Sequence, residues 1–368
     1  MSSSNKNQPT QLASFKPATL QTVADHVGLS KGAVSRVLSR APAARSIPAV
    51  TQDRIFAAAK QLKYQPNVFA RSLRNKRSFT VGVMVPEVSE GYATLVISGI
   101  EQQLMQDDYF YFVVSHHHRS ELIEKYQHLL MMRLVEGIIA VDTPLTHRLS
   151  VPIVTISSHH EAAGITNIVL NHQRAATLAL GHLRGLGHTK IAFIKGQSFS
   201  SDTESRWRAI RDAASKFNIK ISPKLVAQLD SDSPTHEPGY YAAQKILAGA
   251  APFTALFAFN DISAIGAIRA IREAGRRVPE DISVVGFDDV PSAAFQNPAL
   301  TTIRQPLRDM GKLAVQHLLE SIRGKGGNAS KRLIVVEPDL IVRASSAPRR
   351  PSRLERIKST TEQPAARP

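Results

Sequence analysis

Six positions in the long C-terminal part of this 368-residue chain combine into one kind of chemistry. Glu87 and Tyr92 follow one β-rich run, Ser157 ends another, Arg206 falls in an expected helix, and Asn260 and Asp288 each follow a further run. Carboxylate, amide and guanidinium groups beside an aromatic ring are what a polyhydroxylated small molecule requires. Each hydroxyl both donates and accepts, and a ring covers the apolar face of a sugar. Open parallel sheets bind ligands at the carboxyl ends of their strands, which is where these residues fall. Each one also reads as a helix cap or turn former, and for the adjoining Asp261 and Asp289 that is the reading adopted here.

Other constellations carry less. Asp288-Asp289 at a strand end point apart and lack a third carboxylate at useful spacing, so neither acid/base catalysis nor a metal is expected there. His116-His117-His118 and His159-His160 spread along strand ends and read as solvated or cleft-rim histidines. Gly185-Leu186-Gly187 precedes a strand where a dinucleotide fingerprint would follow one, so it reads as a helix stop. There is no P-loop, no Ser-His-Asp context and no heptad repeat near the C-terminus. With no cysteine in the chain, disulfides, thiolate zinc sites, iron–sulfur clusters and a Cys nucleophile drop out together. The expectation is a non-enzyme with no cofactor.

A second chemistry lies in the charge. Residues 1–78 hold 13 Lys/Arg against 2 Asp/Glu, residues 79–346 are nearly balanced at 27 against 26, and residues 347–368 hold 6 against 2. A neutral body behind a strongly basic N-terminal unit points to a polyanion partner for that unit, above all nucleic acid. Residues 347–368 have Pro, Ser and Arg without apolar period and read as a basic, solvated, disordered tail. The N-terminus lacks the apolar stretch of an export signal, and no 18-residue apolar run occurs. A cytoplasmic, nucleoid-associated protein with no membrane partner is therefore expected.

The elements that must position these groups follow from periodicity. Leu20, Val23, Ala24 and Val27 recur at helical spacing, with Thr19 as N-cap and Gly28 as stop. Ser30 caps a second short helix whose apolar stripe is Val34, Val37 and Leu38, leaving Gly32 and Arg36, flanked by Lys31, Ala33 and Ser35, on the opposite face. A third helix is expected from near Thr51, with Ile55, Ala58, Ala59 and Leu62 inward and Asp53 in its first turn. Three short helices with a tight Gly turn form a helix-turn-helix, whose second helix has the shape to enter a major groove. Small residues there let backbones approach, and Arg36 can make a bidentate contact to guanine.

Residues 67–78 allow a short helix capped by Asn67, in which Leu73 lies among Arg71, Arg74, Lys76 and Arg77. So short a helix is unstable alone, and the pattern suits minor-groove binding, with Arg on phosphates and an apolar wedge between base steps. Past residue 78, β-rich runs at 79–85, 109–114, 137–141 and 152–156, then at 190–194, 225–229, 254–259 and 282–287, alternate with amphipathic helices. That alternation marks parallel sheets flanked by helices. About 270 residues exceed one comfortable α/β unit, so two lobes with a cleft between them are expected.

The run from Lys16 to Ser30, then Ala33 to Leu38, Tyr64-Gln65-Pro66-Asn67 and Ala70-Arg71-Ser72-Leu73, resembles the headpiece and hinge of the LacI/GalR family of bacterial transcription regulators. With the body, the similarity covers roughly residues 16–346. It implies an N-terminal helix-turn-helix headpiece plus a two-lobed periplasmic-binding-protein-like body. The implied domains are an arm at 1–15, a DNA-binding domain at 16–65, a hinge at 66–78, an effector-binding and dimerisation body at 79–346 and the tail at 347–368.

By the same resemblance, Thr19, Ser30, Ser35 and Asn67 contact phosphates or cap helices, Arg36 reads a base, and Leu73 of each subunit of a homodimer wedges the centre of a double-stranded palindromic operator. Lys31, Gly32, Ala33, Ala70, Arg71 and Arg74 complete the implied DNA-binding set. Arg206, Asn260 and Asp288 are raised to effector contacts, the effector being a sugar or sugar derivative, with a purine-type corepressor as the alternative. A sugar-binding or sugar-modifying protein that does not bind DNA is the further alternative. Two departures stand out: Gly32 offers no side chain for base reading, and the connection at 39–50 is longer than usual in the family. Ser157 stands where sugar-binding relatives can carry an Asp.

Overall fold

The structure, a computed structural model, describes residues 18–39, 41–65, 77–89, 91–145, 149–158, 165–231, 233, 235–249, 251–324 and 333–350. The chain divides into two compact units, Met1–Ser78 and Phe79–Pro368.

In the first unit Thr19 caps α1 (Leu20–Val27) reciprocally: its Oγ1 accepts from Thr22 N–H, and Thr22 Oγ1 accepts from Thr19 N–H, both at 3.2 Å. This satisfies N–H groups that a helix start leaves without intrahelical partners. Gly28, at φ 66°, ends the helix in the left-handed region, where glycine has no Cβ to clash. Ser30 Oγ accepts from Ala33 N–H at 3.2 Å and starts α2 (Lys31–Leu38). The third helix, α3 (Ala49–Gln61), begins at Ala49 and not near Thr51, because Pro48 takes the cap position. Asp53 therefore lies beyond the first turn, outside the reach of the favourable helix-dipole contact expected for it. The long connection is structured: Pro42–Ser46 forms a 3-10 turn that buries Ala44, and Gln52 Nε2 donates to the carbonyls of Ala44 and Ile47. Val23, Val34, Val37 and Ile55 are the centre of the small core.

The second unit contains two six-stranded sheets. The first is assembled from β1 (Thr80–Val85), β2 (Phe110–Ser115), β3 (Gly137–Val141), β4 (Ile153–Ile156), β5 (Thr166–Leu170) and β11 (Leu333–Val336), all parallel, in the order β11-β5-β4-β3-β1-β2. The second takes β6 (Ile191–Lys195), β7 (Val226–Gln228), β8 (Ala255–Phe257), β9 (Ser283–Asp288), β10 (Thr301–Arg304) and β12 (Asp339–Ile341), in the order β12-β10-β9-β8-β6-β7. Its edge strand β12 runs antiparallel to β10, while the other described pairs are parallel.

The chain passes between the lobes three times: after β5 into α6 (His172–Gly185), after β10 into α11 (Leu307–Ile322), and between β11 and β12. The α/β class and the two-lobed body stand as expected.

Each lobe contains one helix pair in contact close enough to need glycine on both sides. In the first lobe α4 (Tyr92–Gln106) meets α11, where a Cβ on Gly99 would lie 1.9 Å from Arg308 O and one on Gly311 2.3 Å from Val96 O. In the second, α8 (Glu237–Ala248) meets α9 (Asp261–Glu273), where a Cβ on Gly239 would lie 2.2 Å from Ser263 O and one on Gly266 2.0 Å from His236 O. Backbone thus packs on backbone, and the helices are held at a fixed separation.

The boundary drawn at residue 347 is corrected as well. Ala347 O faces His188 Nε2 at 3.0 Å, and Arg349 N–H donates to Leu186 O at 2.8 Å, so residues 347–350 belong to the body. The expected arm at 1–15, the hinge positions Asn67, Ala70, Arg71, Leu73 and Arg74, His159-His160 and residues 351–368 lie outside the described residues. No described helix is long and apolar enough to cross a membrane.

Candidate functional site

Two sites emerge, one in each unit. In the first, Thr19, Ser30, Lys31, Gly32 and Arg36 are exposed, and Ala33 and Ser35 half-buried, while Val34 and Val37 are buried on the inner side of α2. A Cβ built on Gly32 meets nothing within 4 Å, so the outer face is open. Arg36 Nε donates to Gly32 O at 3.3 Å, which lays the guanidinium along that face.

In the second unit a cavity of about 140 Å3 opens between the lobes, room for roughly ten waters. Glu87, Tyr92, Arg206, Asn260 and Asp288 all line it. Ser157 does not. It is buried behind the tyrosine, and Tyr92 donates its phenolic O–H to Ser157 Oγ at 2.7 Å. The Tyr92 phenol is pushed well above its ordinary value, chiefly by burial. Asn260 is also a cap: its Oδ1 accepts from Ser263 N–H at 2.9 Å at the start of α9. Asp261 and Asp289 have structural partners. Asp261 accepts from Thr302 Oγ1 and Val290 N–H, and Asp289 pairs with Arg304 and Arg343. Asp288 and Asp289 do point apart, as their adjacency at a strand end requires.

At the centre lies Arg206 of α7 (Ser201–Lys216), 4% exposed. Its guanidinium carbon sits 4.3 Å from the Phe259 ring centroid and 3.7 Å from that of Phe287, a double cation–π contact. Nη1 donates to Phe259 O, and Nη2 donates to Asp202 Oδ2 at 3.3 Å. His172 Nε2 lies 3.2 Å from the other oxygen of Asp202. Asp288, equally buried, accepts from Gln305 Nε2 at 2.5 Å, and burial pushes its carboxyl up to about 7.

Sequence reasoning missed Asp142, Asp202 and Phe199, which also line the cavity. Asp142 directly follows β3 and was open to the same strand-end rule; Asp202 precedes Arg206 by one helical turn. Phe199 stacks on His118 with ring centroids 4.0 Å apart, so that histidine is a cleft-rim residue, as expected. His116 is fully buried instead of solvated, beside Thr143 Oγ1 at 2.8 Å, and burial lowers it to about 4. No group of three metal-ligating side chains occurs among the described residues.

Asp142 and Asp288, which line the cavity, have positive φ (40° and 110°), as do Ser157 and Asp289 beside it (55° and 59°). Non-glycine residues reach this region at a cost, and such positions collect at functional sites.

Comparison with known proteins adds two family matches: residues 19–67 match the model for bacterial regulatory proteins of the lacI family, and residues 180–346 match a periplasmic binding protein-like domain. The HTH-type transcriptional repressor PurR of Aliivibrio fischeri (strain MJ11) is 31% identical over 336 residues, spanning 89% of this chain and 98% of that protein. Among solved structures, a lac repressor dimer bound to operator and the anti-inducer ONPF is 27% identical, with a TM-score of 0.78 over 90% of this chain and 100% of that one. A complex of the transcriptional regulator CelR with cellobiose is 25% identical, with a TM-score of 0.67 over 89% of this chain and 100% of that one.

Proposed function

Because the chain belongs to the lacI family of bacterial regulatory proteins, we propose that it is a DNA-binding transcriptional repressor whose hold on an operator is set by a small molecule between its lobes. The observation that carries this reading is the outer face of α2. A helix capped by Ser30 presents Lys31, Gly32 and Arg36 to solvent, with its apolar side closed against α1 and α3. Arg36 reads a base, while Thr19, Ser30 and Ser35 hold phosphates, and Asn67, Ala70, Arg71, Leu73 and Arg74 serve the minor groove.

A homodimer on a double-stranded, palindromic operator suits this geometry, since two headpieces read half-sites one helical turn apart. The edge strand β2, which leaves Phe110, Phe112 and Val113 exposed, supports pairing with a second copy. The effector is a sugar or sugar derivative, a reading supported by the cellobiose complex of a protein with the same fold. A purine is the second reading, favoured by the ring faces of Tyr92, Phe199 and Phe259 around the cavity. Binding without turnover, in the cytoplasm, completes the proposal.

The test is site selection from random duplex DNA by the full-length chain at moderate salt, followed by gel-shift titration. A recovered palindrome bound far more tightly than random sequence is expected. Uniform affinity for all sequences would remove the regulator reading.

A further inference from the structure

Among the described residues the cleft has more acidic side chains than basic ones. Glu87, Asp142, Asp202 and Asp288 border it, against the single guanidinium of Arg206. That guanidinium is already engaged by Asp202 and by the rings of Phe259 and Phe287. Asp142 spends both oxygens on Ser200 and Ser201.

Asp288 differs from these. It is 4% exposed, one oxygen accepts from Gln305, and among the described residues it forms no ion pair. Its second oxygen has no donor from the described residues, and the residue borders the cavity. Arg206 acts on this carboxyl through space but forms no ion pair with it, so a donor that contacts the open oxygen directly has to come from a ligand.

We propose that the cleft takes an effector carrying a basic nitrogen on a hydroxylated scaffold, an amino sugar or amino polyol, with the ammonium seated on Asp288. The inference rests on the ligand-responsive reading above and narrows its ligand class. The ammonium donates to the vacant carboxylate oxygen, and hydroxyls meet Asn260 and Glu87. Phosphorylated compounds are disfavoured, because a dianion would face four acidic side chains and one arginine, of which only Nε is without a partner. The raised value of Asp288 fits the geometry: burial raises it, Asp202 adds to the rise, and Arg206 and Gln305 oppose it. Asp261 and Tyr92 are the other titratable groups electrostatically coupled to it. An ammonium would bring the carboxyl down again and expel its proton.

The experiment is calorimetric titration of the full-length chain, slightly below neutral pH, with D-glucosamine, D-glucose and D-glucose 6-phosphate, in buffers of different ionisation enthalpy. Glucosamine should bind ~10-fold more tightly than glucose, with a buffer-dependent heat that reports proton release, and the phosphate should not bind. Asp288→Asn should abolish both the preference and the proton release. The proposal falls if glucose matches glucosamine, if the phosphate binds, if none of the three binds, or if Asp288→Asn keeps the preference. The wild-type comparison stands alone should that variant not fold. Site selection with the same preparation separates the two readings, because a preferred operator with a neutral effector overturns only the amine.

Discussion

The carboxylate of Asp142 in one lobe caps a helix that begins at Ser201 in the other. Its Oδ1 accepts from Ser201 N–H at 3.2 Å and from Ser201 Oγ at 2.9 Å, and its Oδ2 accepts from Ser200 Oγ at 3.1 Å. The helix, α7, has no side-chain cap of its own. Closing the lobes therefore supplies donors with an acceptor that they lack when the lobes part. Losing such a cap costs about 1 kcal/mol, enough to shift a balanced two-state equilibrium roughly five-fold. Asp142→Ala should give an effector-free protein of larger radius of gyration in small-angle scattering. An unchanged radius would mean that the contact does not govern closure.

Three buried carboxyls are raised, those of Asp142, Asp261 and Asp288, and for Asp142 and Asp288 the sign of the pH dependence can be worked out. Asp142 and Asp288 ionise at about 6 and about 7, against 3.8 ordinarily, so the folded state binds more protons across that window. Their contribution to stability is therefore lost as pH rises from near 4 to near 7. His116 acts oppositely: lowered from 6.5 to about 4, it withdraws stability as pH falls through that interval. Asp288→Asn keeps a residue type that tolerates positive φ and removes the larger of these two contributions. At pH ~8 the variant should be more stable than the wild type by on the order of 4 kcal/mol, with the difference vanishing near pH ~4. Urea melts across this range check it, and parallel curves for the two proteins would contradict it.

The parts legible in the sequence were those governed by neighbours in the chain. Thr19, Gly28 and Ser30 announced the first two helices because caps and stops are local. The β3 run was readable because it is apolar throughout and buried on both faces. By contrast, β10 reads Thr-Thr-Ile-Arg and β12 is three residues long, too little for a period, although each completes a sheet. The third crossing between lobes, from β11 to β12, was equally hidden. In the site, strand-end position pointed to Asn260 and Asp288, and the family resemblance raised them, with Arg206 of a helix, to effector contacts. Nothing local showed that Ser157 would turn inward under Tyr92, or that positive φ at Asp142 would send its carboxylate to the other lobe.

Gly32 offers a prediction with opposite signs in the two states. It sits in a helix, has no positive φ, and a Cβ there meets nothing, so Gly32→Ala should stabilise the free protein by about 0.5–1 kcal/mol. The same methyl projects from the face proposed to lie against bases, and operator affinity should fall while melting temperature rises. Arg36→Ala should cost about 1–3 kcal/mol at the specific site alone. Gel shifts on specific and random duplexes measure both. Affinity unchanged in the two variants would move base reading away from α2.

Arg206 tests how far the centre of the cleft depends on a planar cation. Its fork reaches Phe259 O and Asp202 from one side chain while its plane lies against two rings. Lysine keeps the charge but has neither plane nor fork. Arg206→Lys should fold, lose about 1–3 kcal/mol and lose the effector response. Arg206→Ala goes further and leaves Asp202 buried beside His172 with no guanidinium, a change that typically costs about 3–5 kcal/mol. Removing the acid as well should restore part of that loss, since the penalty comes from the stranded charge and not from the missing contact. Urea denaturation of Arg206→Ala and of Arg206→Ala with Asp202→Ala separates the two origins. If the double variant is no more stable than the single one, the arginine acts through packing against Phe259 and Phe287, and the Asp202 pair contributes nothing of its own.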